Sequence, residues 1–124
     1  GLASAQYNLG VMYYKGQGVT KDNTEAAHWY KSAAKLNYAL AQFNLALMYF
    51  EGEGIEKSQE KSYIWNVIAA YNGYEDAAKS RDMDAQTLTK AQVSSAREKA
   101  DEMYLKIIQQ VEINAQKASE KRFY

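Results

Sequence analysis

At 124 residues with 47% hydrophobic side chains, the chain is long enough for one packed domain or a short array and too apolar to remain disordered. Its 15 basic and 15 acidic side chains cancel, which excludes the global field of a protein built to coat nucleic acid or an anionic membrane. Without cysteine there are no disulfides, no thiol chemistry and no cysteine-held metal, and no apolar run is long enough to cross a bilayer, since Tyr63 to Tyr74 is interrupted by Asn66, Asn72 and Gly73.

From Ala3 to Lys15 small and apolar residues recur at helical spacing, with Leu9, Val11, Met12, Tyr13 and Tyr14 leaving no strand-like alternation. This predicts a first helix. Lys15-Gly16-Gln17-Gly18-Val19 ends it, because glycine supplies the backbone freedom to terminate a helix and reverse the chain. Asp22 with Glu25 three residues later has the form of a capping box and starts a second helix running to about Leu36, followed by a short junction at Asn37.

The pattern then returns thirty-six residues on, in register and without a gap. Ala5-Gln6 recurs as Ala41-Gln42, Asn8-Leu9 as Asn44-Leu45, Met12-Tyr13 as Met48-Tyr49, Gly16 and Gly18 as Gly52 and Gly54, and Trp29 as Trp65. Ser58 takes the place of Asp22, and Asn72-Gly73 closes the second unit. A period of this length signals a solenoid whose units bury their apolar faces only against their neighbours. The expected fold is all-α, an α-solenoid of antiparallel helix hairpins. Such arrays expose an extended binding surface.

A third unit begins at Ala77 and departs from the pattern after Arg81-Asp82. Thr89 and Gln92 form a capping box for a final helix from Lys90 to near Lys121, on which Val93, Ala100, Tyr104, Ile107 and Val111 make a stripe suited to cover the second repeat. Beyond Val111 the stripe weakens. The helix is read as a cap, with homodimerisation through its surplus length as the alternative. The expected division is a first repeat at about 3–38, a second at about 39–74 and a divergent closing hairpin at about 75–124. Gly1 to Ser4 fall at the repeat phase of Asn37 to Leu40, so the chain reads as an excerpt of a longer array.

The string Ala-Gln-Tyr-Asn-Leu-Gly-x-Met-Tyr-x-x-Gly-x-Gly-Val, followed by Asp, Ala, Trp-Tyr and Ala-Ala within residues 5–34, resembles the Sel1-like repeat, a relative of the tetratricopeptide repeat. Leu88-Thr89, Gln92, Ala96 and Ala100 are similar to the end of bacterial Sel1-like arrays. The resemblance implies a soluble bacterial adaptor or scaffold that binds a protein or peptide and is not an enzyme. It selects neither cytoplasm nor periplasm.

Catalytic chemistry has little to build on. His28 is the only histidine and has no metal partner at the spacing zinc enzymes use, so no metal and no cofactor is expected. Ser32-Ala33-Ala34-Lys35 and Ser58-Gln59-Glu60-Lys61 fit Ser-x-x-Lys, the nucleophile motif of penicillin-recognising enzymes, but the companion Ser-Asp-Asn and Lys-Thr-Gly motifs are missing, leaving weak β-lactam hydrolysis as an alternative of another class. Gly16-Gln17-Gly18 and Gly52-Glu53-Gly54 recur as turns. Asp82 and Asp84 stand two apart, point to different sides of a helix and are expected in solvated or capping roles.

Tyr13, Tyr49, Trp29 and Trp65 are assigned to the core with Leu9, Leu45, Met12, Met48, Ala33 and Ala69, while Gly10 and Ala46 allow close helix approach. If the packing follows tetratricopeptide-type arrays, the remaining first-helix positions line a concave wall. These are Tyr7, Asn8, Val11, Tyr14 and Lys15 in the first unit, Phe43, Asn44, Leu47, Phe50 and Glu51 in the second, and Lys79 and Met83 in the third. Asn8 and Asn44 match the phase at which related arrays hold a peptide backbone through a side-chain amide. The wall lacks clustered cations, so an extended or helical segment with apolar anchors fits better than a phosphopeptide or a nucleic-acid strand.

Overall fold

A computed structural model describes residues 1–123. Among them run six helices: α1 (Leu2–Lys15), α2 (Asn23–Lys35), α3 (Ala39–Glu51), α4 (Gln59–Tyr71), α5 (Glu75–Ala85) and α6 (Lys90–Phe123). The predicted boundaries hold at their chemical signals. α1 and α3 each end on a left-handed glycine, Gly16 at φ 70° and Gly52 at φ 71°, where a side chain would be strained. The Asp22 carboxylate accepts from the Glu25 N–H at 3.1 Å and the Ser58 hydroxyl from the Lys61 N–H at 3.1 Å, each satisfying a donor that the first helical turn leaves open. At α6 the capping box is complete, with Thr89 Oγ1 accepting from the Gln92 N–H and Gln92 Oε1 accepting from the Thr89 N–H.

α1 packs on α2, α2 on α3, α3 on α4, α4 on α5, and α6 lies along α4. The second repeat is therefore enclosed on both sides, and α4 is buried along nearly its whole length from Ser62 to Ala69. Leu45, Met48, Tyr49, Trp65, Val67 and Ile68 make the core with Ala96, Ala100 and Ile107 of α6. In the first repeat the equivalents Leu9, Met12, Tyr13 and Trp29 are only half-buried, because the α1–α2 hairpin has a neighbouring repeat on one side. Trp65 by contrast sits among Lys31 and Lys35 of α2 and Met103 and Ile107 of α6.

A buried amide cluster joins the repeats. Gln42, fully shielded, donates to the Ala34 carbonyl at 3.1 Å and to Asn37 Oδ1 at 3.2 Å, and accepts from Asn72 Nδ2 at 3.0 Å. The Tyr104 hydroxyl of α6 reaches Asn72 Oδ1 at 3.4 Å. These bonds tie the end of the first repeat, the start of α3, the end of α4 and the capping helix into one polar joint. Past Val111 α6 continues with exposed residues from Glu112 to Arg122, where the apolar stripe ends.

Candidate functional site

α1, α3 and α5 stand in sequence along one wall, and a groove opens between each adjacent pair. The first has a volume of about 260 Å³. Tyr7, Val11, Tyr14 and Lys15 line it from α1, and Asn44, Leu47, Met48 and Glu51 from α3, each set spaced at the three- and four-residue steps that put side chains on one helix face. Tyr30 of α2 reaches through from behind as the floor. A Cβ at Gly10 would stand 2.7 Å from the Tyr30 ring, so the glycine makes room for that ring.

The second groove, of about 360 Å³ between α3 and α5, is the first one moved along by a repeat. Leu47, Phe50 and Met83 take the places of Val11, Tyr14 and Leu47, and Ser80 that of Asn44. Its floor has changed character. Where the first groove holds Tyr30 and Met48, the second holds Asn66 and Asp84, with Ser62 beside them. The Ser62 hydroxyl and Asn66 Nδ2 each donate to Asp84 Oδ2 at 2.9 Å, and Asp84 is 4% exposed. Burial pushes the Asp84 carboxyl above its ordinary range, against the pull of the bonds from Asn66 and Ser62. The expected solvated or capping role is thus corrected for Asp84: it takes the inward phase of Met12 and Met48, while Asp82 is exposed and pairs with Arg81 at 3.0 Å.

Charge and aromatic contacts repeat along the wall. Lys21 sits 5.8 Å over the Tyr14 ring and Lys57, one repeat later, 6.0 Å over the Phe50 ring. Tyr7 stacks on Tyr38 at 5.3 Å between centroids, and Phe43 on Tyr74 at 5.0 Å. Burial pushes the Tyr30 phenol up to about 12, so it stays a neutral ring in the first groove. A hydrogen bond with the Glu53 side chain raises the Glu51 carboxyl, and the charge of Glu53 raises the Tyr14 phenol, so the two glutamates and Tyr14 share this edge of the wall.

Of the residues expected on the wall, Tyr7, Val11, Tyr14, Lys15, Asn44, Leu47 and Glu51 meet in the first groove and Leu47, Phe50 and Met83 in the second. Asn8, Phe43 and Lys79 line neither, with Asn8 and Lys79 exposed and Phe43 held against Tyr74. Asn44 Nδ2 donates to the Tyr7 hydroxyl at 3.2 Å, a bond between repeats that leaves the amide oxygen free of that contact. Of the groove-floor residues the sequence reading missed, Asn66 and Asp84 were visible in it only as places where a later copy abandons the apolar type of the copy before, Tyr30 and Met48, and nothing marked Tyr30 itself.

The serines of the two Ser-x-x-Lys stretches make local helix bonds. The Ser32 hydroxyl donates to the His28 carbonyl within its own helix at 3.1 Å, and Ser58 caps α4, while Lys61 lies 5.6 Å over the Tyr49 ring. Among the described residues no group of three or more His, Asp or Glu converges as a metal site, and no helix is long and apolar enough to cross a membrane.

The helix, glycine turn, helix unit occurs twice, and the model of the Sel1 repeat matches both copies, at residues 3–38 and 39–74. The chain belongs to the Sel1 repeat family. Its fold is shared with a protective antigen present in uropathogenic Escherichia coli strains that displays an SLR fold, at a TM-score of 0.82 and 28% identity over 93% of this chain and 25% of that one. A Sel1 repeat protein from Oxalobacter formigenes is similar at a TM-score of 0.63 and 38% identity, covering 64% of this chain and 32% of that one. The chain thus spans a third or less of either relative. No curated protein matches it. Sel1 repeat proteins are commonly non-catalytic interaction scaffolds that bind protein partners.

Proposed function

We propose that this Sel1 repeat chain is a protein-interaction scaffold that holds an extended or helical segment of a partner along the wall of α1, α3 and α5. The observation that carries this reading is the pair of repeat-equivalent grooves joined at Leu47, which lines both. Leu47, Phe50 and Met83 stand 40%, 42% and 67% exposed around the second groove, an apolar cluster that folding does not use. Aromatic and methionine side chains of this kind are enriched at interface centres. The test is site-specific photo-crosslinking from positions 47, 83 and 113 with partners from the source cell. Adducts at 47 and 83 are expected, and adducts confined to 113 would move the function to α6.

A second reading rests on Leu105 and Ile113, which leave apolar surface on the capping helix at 61% and 45% exposure. Self-association through α6 would make the sedimentation coefficient depend on concentration, and removal of residues 112–124, which takes Ile113 and leaves Leu105, would weaken that dependence.

A further inference from the structure

The change of floor between the two grooves has a cost that helix packing does not require. In the first, Tyr30 and Met48 fill the space behind the wall with apolar atoms. In the second, the same two places hold an amide 2% exposed and a carboxylate 4% exposed, and burying a carboxylate is expensive unless a cation or several donors compensate it. The compensation inside the chain is incomplete. Both donors, from Ser62 and Asn66, end on Oδ2 of Asp84, and no described residue donates to Oδ1. The two ion pairs among the described residues lie elsewhere, at Arg81–Asp82 and Lys99–Glu60. Asn66 Oδ1 is itself buried without a hydrogen-bond partner, whereas Asp84 Oδ1 is not shut in and is left for the groove. Lys57, over the Phe50 ring but outside the groove's lining, forms no ion pair with Asp84.

A groove whose floor offers a carboxylate oxygen and whose lips are Leu47, Phe50 and Met83 selects its occupant by chemistry. A carboxylate or phosphate would bring more acceptors, and a purely apolar anchor would leave the Asp84 oxygen unmet. A metal would find a single carboxylate, and no cluster of metal-binding side chains gathers there among the described residues. An ammonium or guanidinium brings three or five donors on an apolar stem that lies well along leucine, phenylalanine and methionine. Resting on the wall reading above, we propose that the groove between α3 and α5 takes a lysine or arginine side chain of the bound segment. Its cationic head sits on Asp84 and its stem and flanking apolar residues lie against Leu47, Phe50 and Met83.

The test uses acetylated, amidated heptapeptides with leucine at alternate positions and arginine, lysine, citrulline or norleucine at the centre. Titrations follow the methyl resonances of Leu47 and Met83, on the native chain and on Asp84→Asn and Asp84→Met, the latter carrying the residue that the second repeat has at this place. The expected result is binding of the arginine and lysine peptides at least about tenfold tighter than their neutral counterparts, with the advantage lost in both variants. Equal affinity of all four peptides, with the Leu47 and Met83 signals still moving, overturns the basic occupant and leaves the wall as the binding surface. A preference that survives both substitutions overturns the assignment to Asp84. Absence of any shift at Leu47 and Met83 overturns the wall reading together with the proposal. If Asp84→Asn does not fold, the arginine-to-citrulline comparison on the native chain and the Asp84→Met variant still decide.

Discussion

Asn37 and Asn72 bond each other in both directions, Asn72 Nδ2 to Asn37 Oδ1 at 2.7 Å and Asn37 Nδ2 to Asn72 Oδ1 at 3.2 Å. Each residue ends a repeat, so the pair locks the two repeat boundaries together, and Gln42 and Tyr104 join it. Replacing Asn72 with leucine, the residue found at the equivalent place in the first repeat, leaves Gln42 Oε1 and Asn37 Nδ2 without these partners. Asn72→Leu is expected to cost about 2 kcal/mol by urea unfolding. A loss within experimental error would show that water replaces the joint at no cost.

The two turn glycines Gly18 and Gly54 share a left-handed backbone, at φ 73° and 68°, yet differ in surroundings. A Cβ at Gly54 would stand 2.3 Å from the backbone carbonyl of Asn23, whereas one at Gly18 would meet only the Met12 terminal methyl at 3.7 Å. The second turn is seated on the start of α2. Gly18→Ala should therefore cost about 1 kcal/mol from backbone strain, and Gly54→Ala about 3–4 kcal/mol because the backbones must separate. Comparable losses at both sites would show that this seating contributes nothing to repeat stacking.

The two tryptophans occupy one repeat position and differ in burial. Trp65 is 4% exposed between α2 and α6, while Trp29 is half-buried. Trp65→Ala is expected to lower stability by about 3–5 kcal/mol, and Trp29→Ala by about 1–2 kcal/mol, since less area leaves water there on folding. Thermal denaturation of the two variants checks the order.

Asp84 makes stability depend on pH in a direction opposite to that of a salt-bridged carboxylate. Burial raises its carboxyl in the folded chain, so protonation favours the fold. Its contribution is complete below the unfolded-state value and is lost as pH rises through the raised folded value. The Asp84→Asn variant keeps an acceptor for Ser62 and Asn66 without the charge. It is expected to melt a few degrees above the native chain at pH 7, with the gap closing as the pH falls toward about 4. Melting curves of both proteins across this range give the answer, and a gap that widens on acidification would contradict the assigned shift. A stabilising Asp84→Asn would also mark the carboxylate as retained at the expense of the fold, as binding sites often are.

The helical units, their ends and their twofold recurrence were legible in the chain alone, because caps, glycine terminations and apolar spacing are local chemistry. Asp22, Ser58, Thr89 and Gln92 cap where they stand, and Gly16 and Gly52 end helices wherever the rest of the chain goes. The wall residues Tyr7, Val11, Tyr14, Leu47, Phe50 and Met83 came from the resemblance to tetratricopeptide-type packing, which says which helix face turns inward, while periodicity alone says only that they share a face. What only the tertiary structure decided is what meets across repeats. Residues of α2 and α4 reach between the inner helices to floor the grooves, and the Gln42 joint draws its partners from both repeats and from α6. Asp84 carries the same side chain as exposed Asp82 two residues away, and its burial depends on α4 lying behind it with Ser62 and Asn66. Local sequence sets which face a side chain takes, and only packing sets whether that face meets water, a neighbour or an open groove.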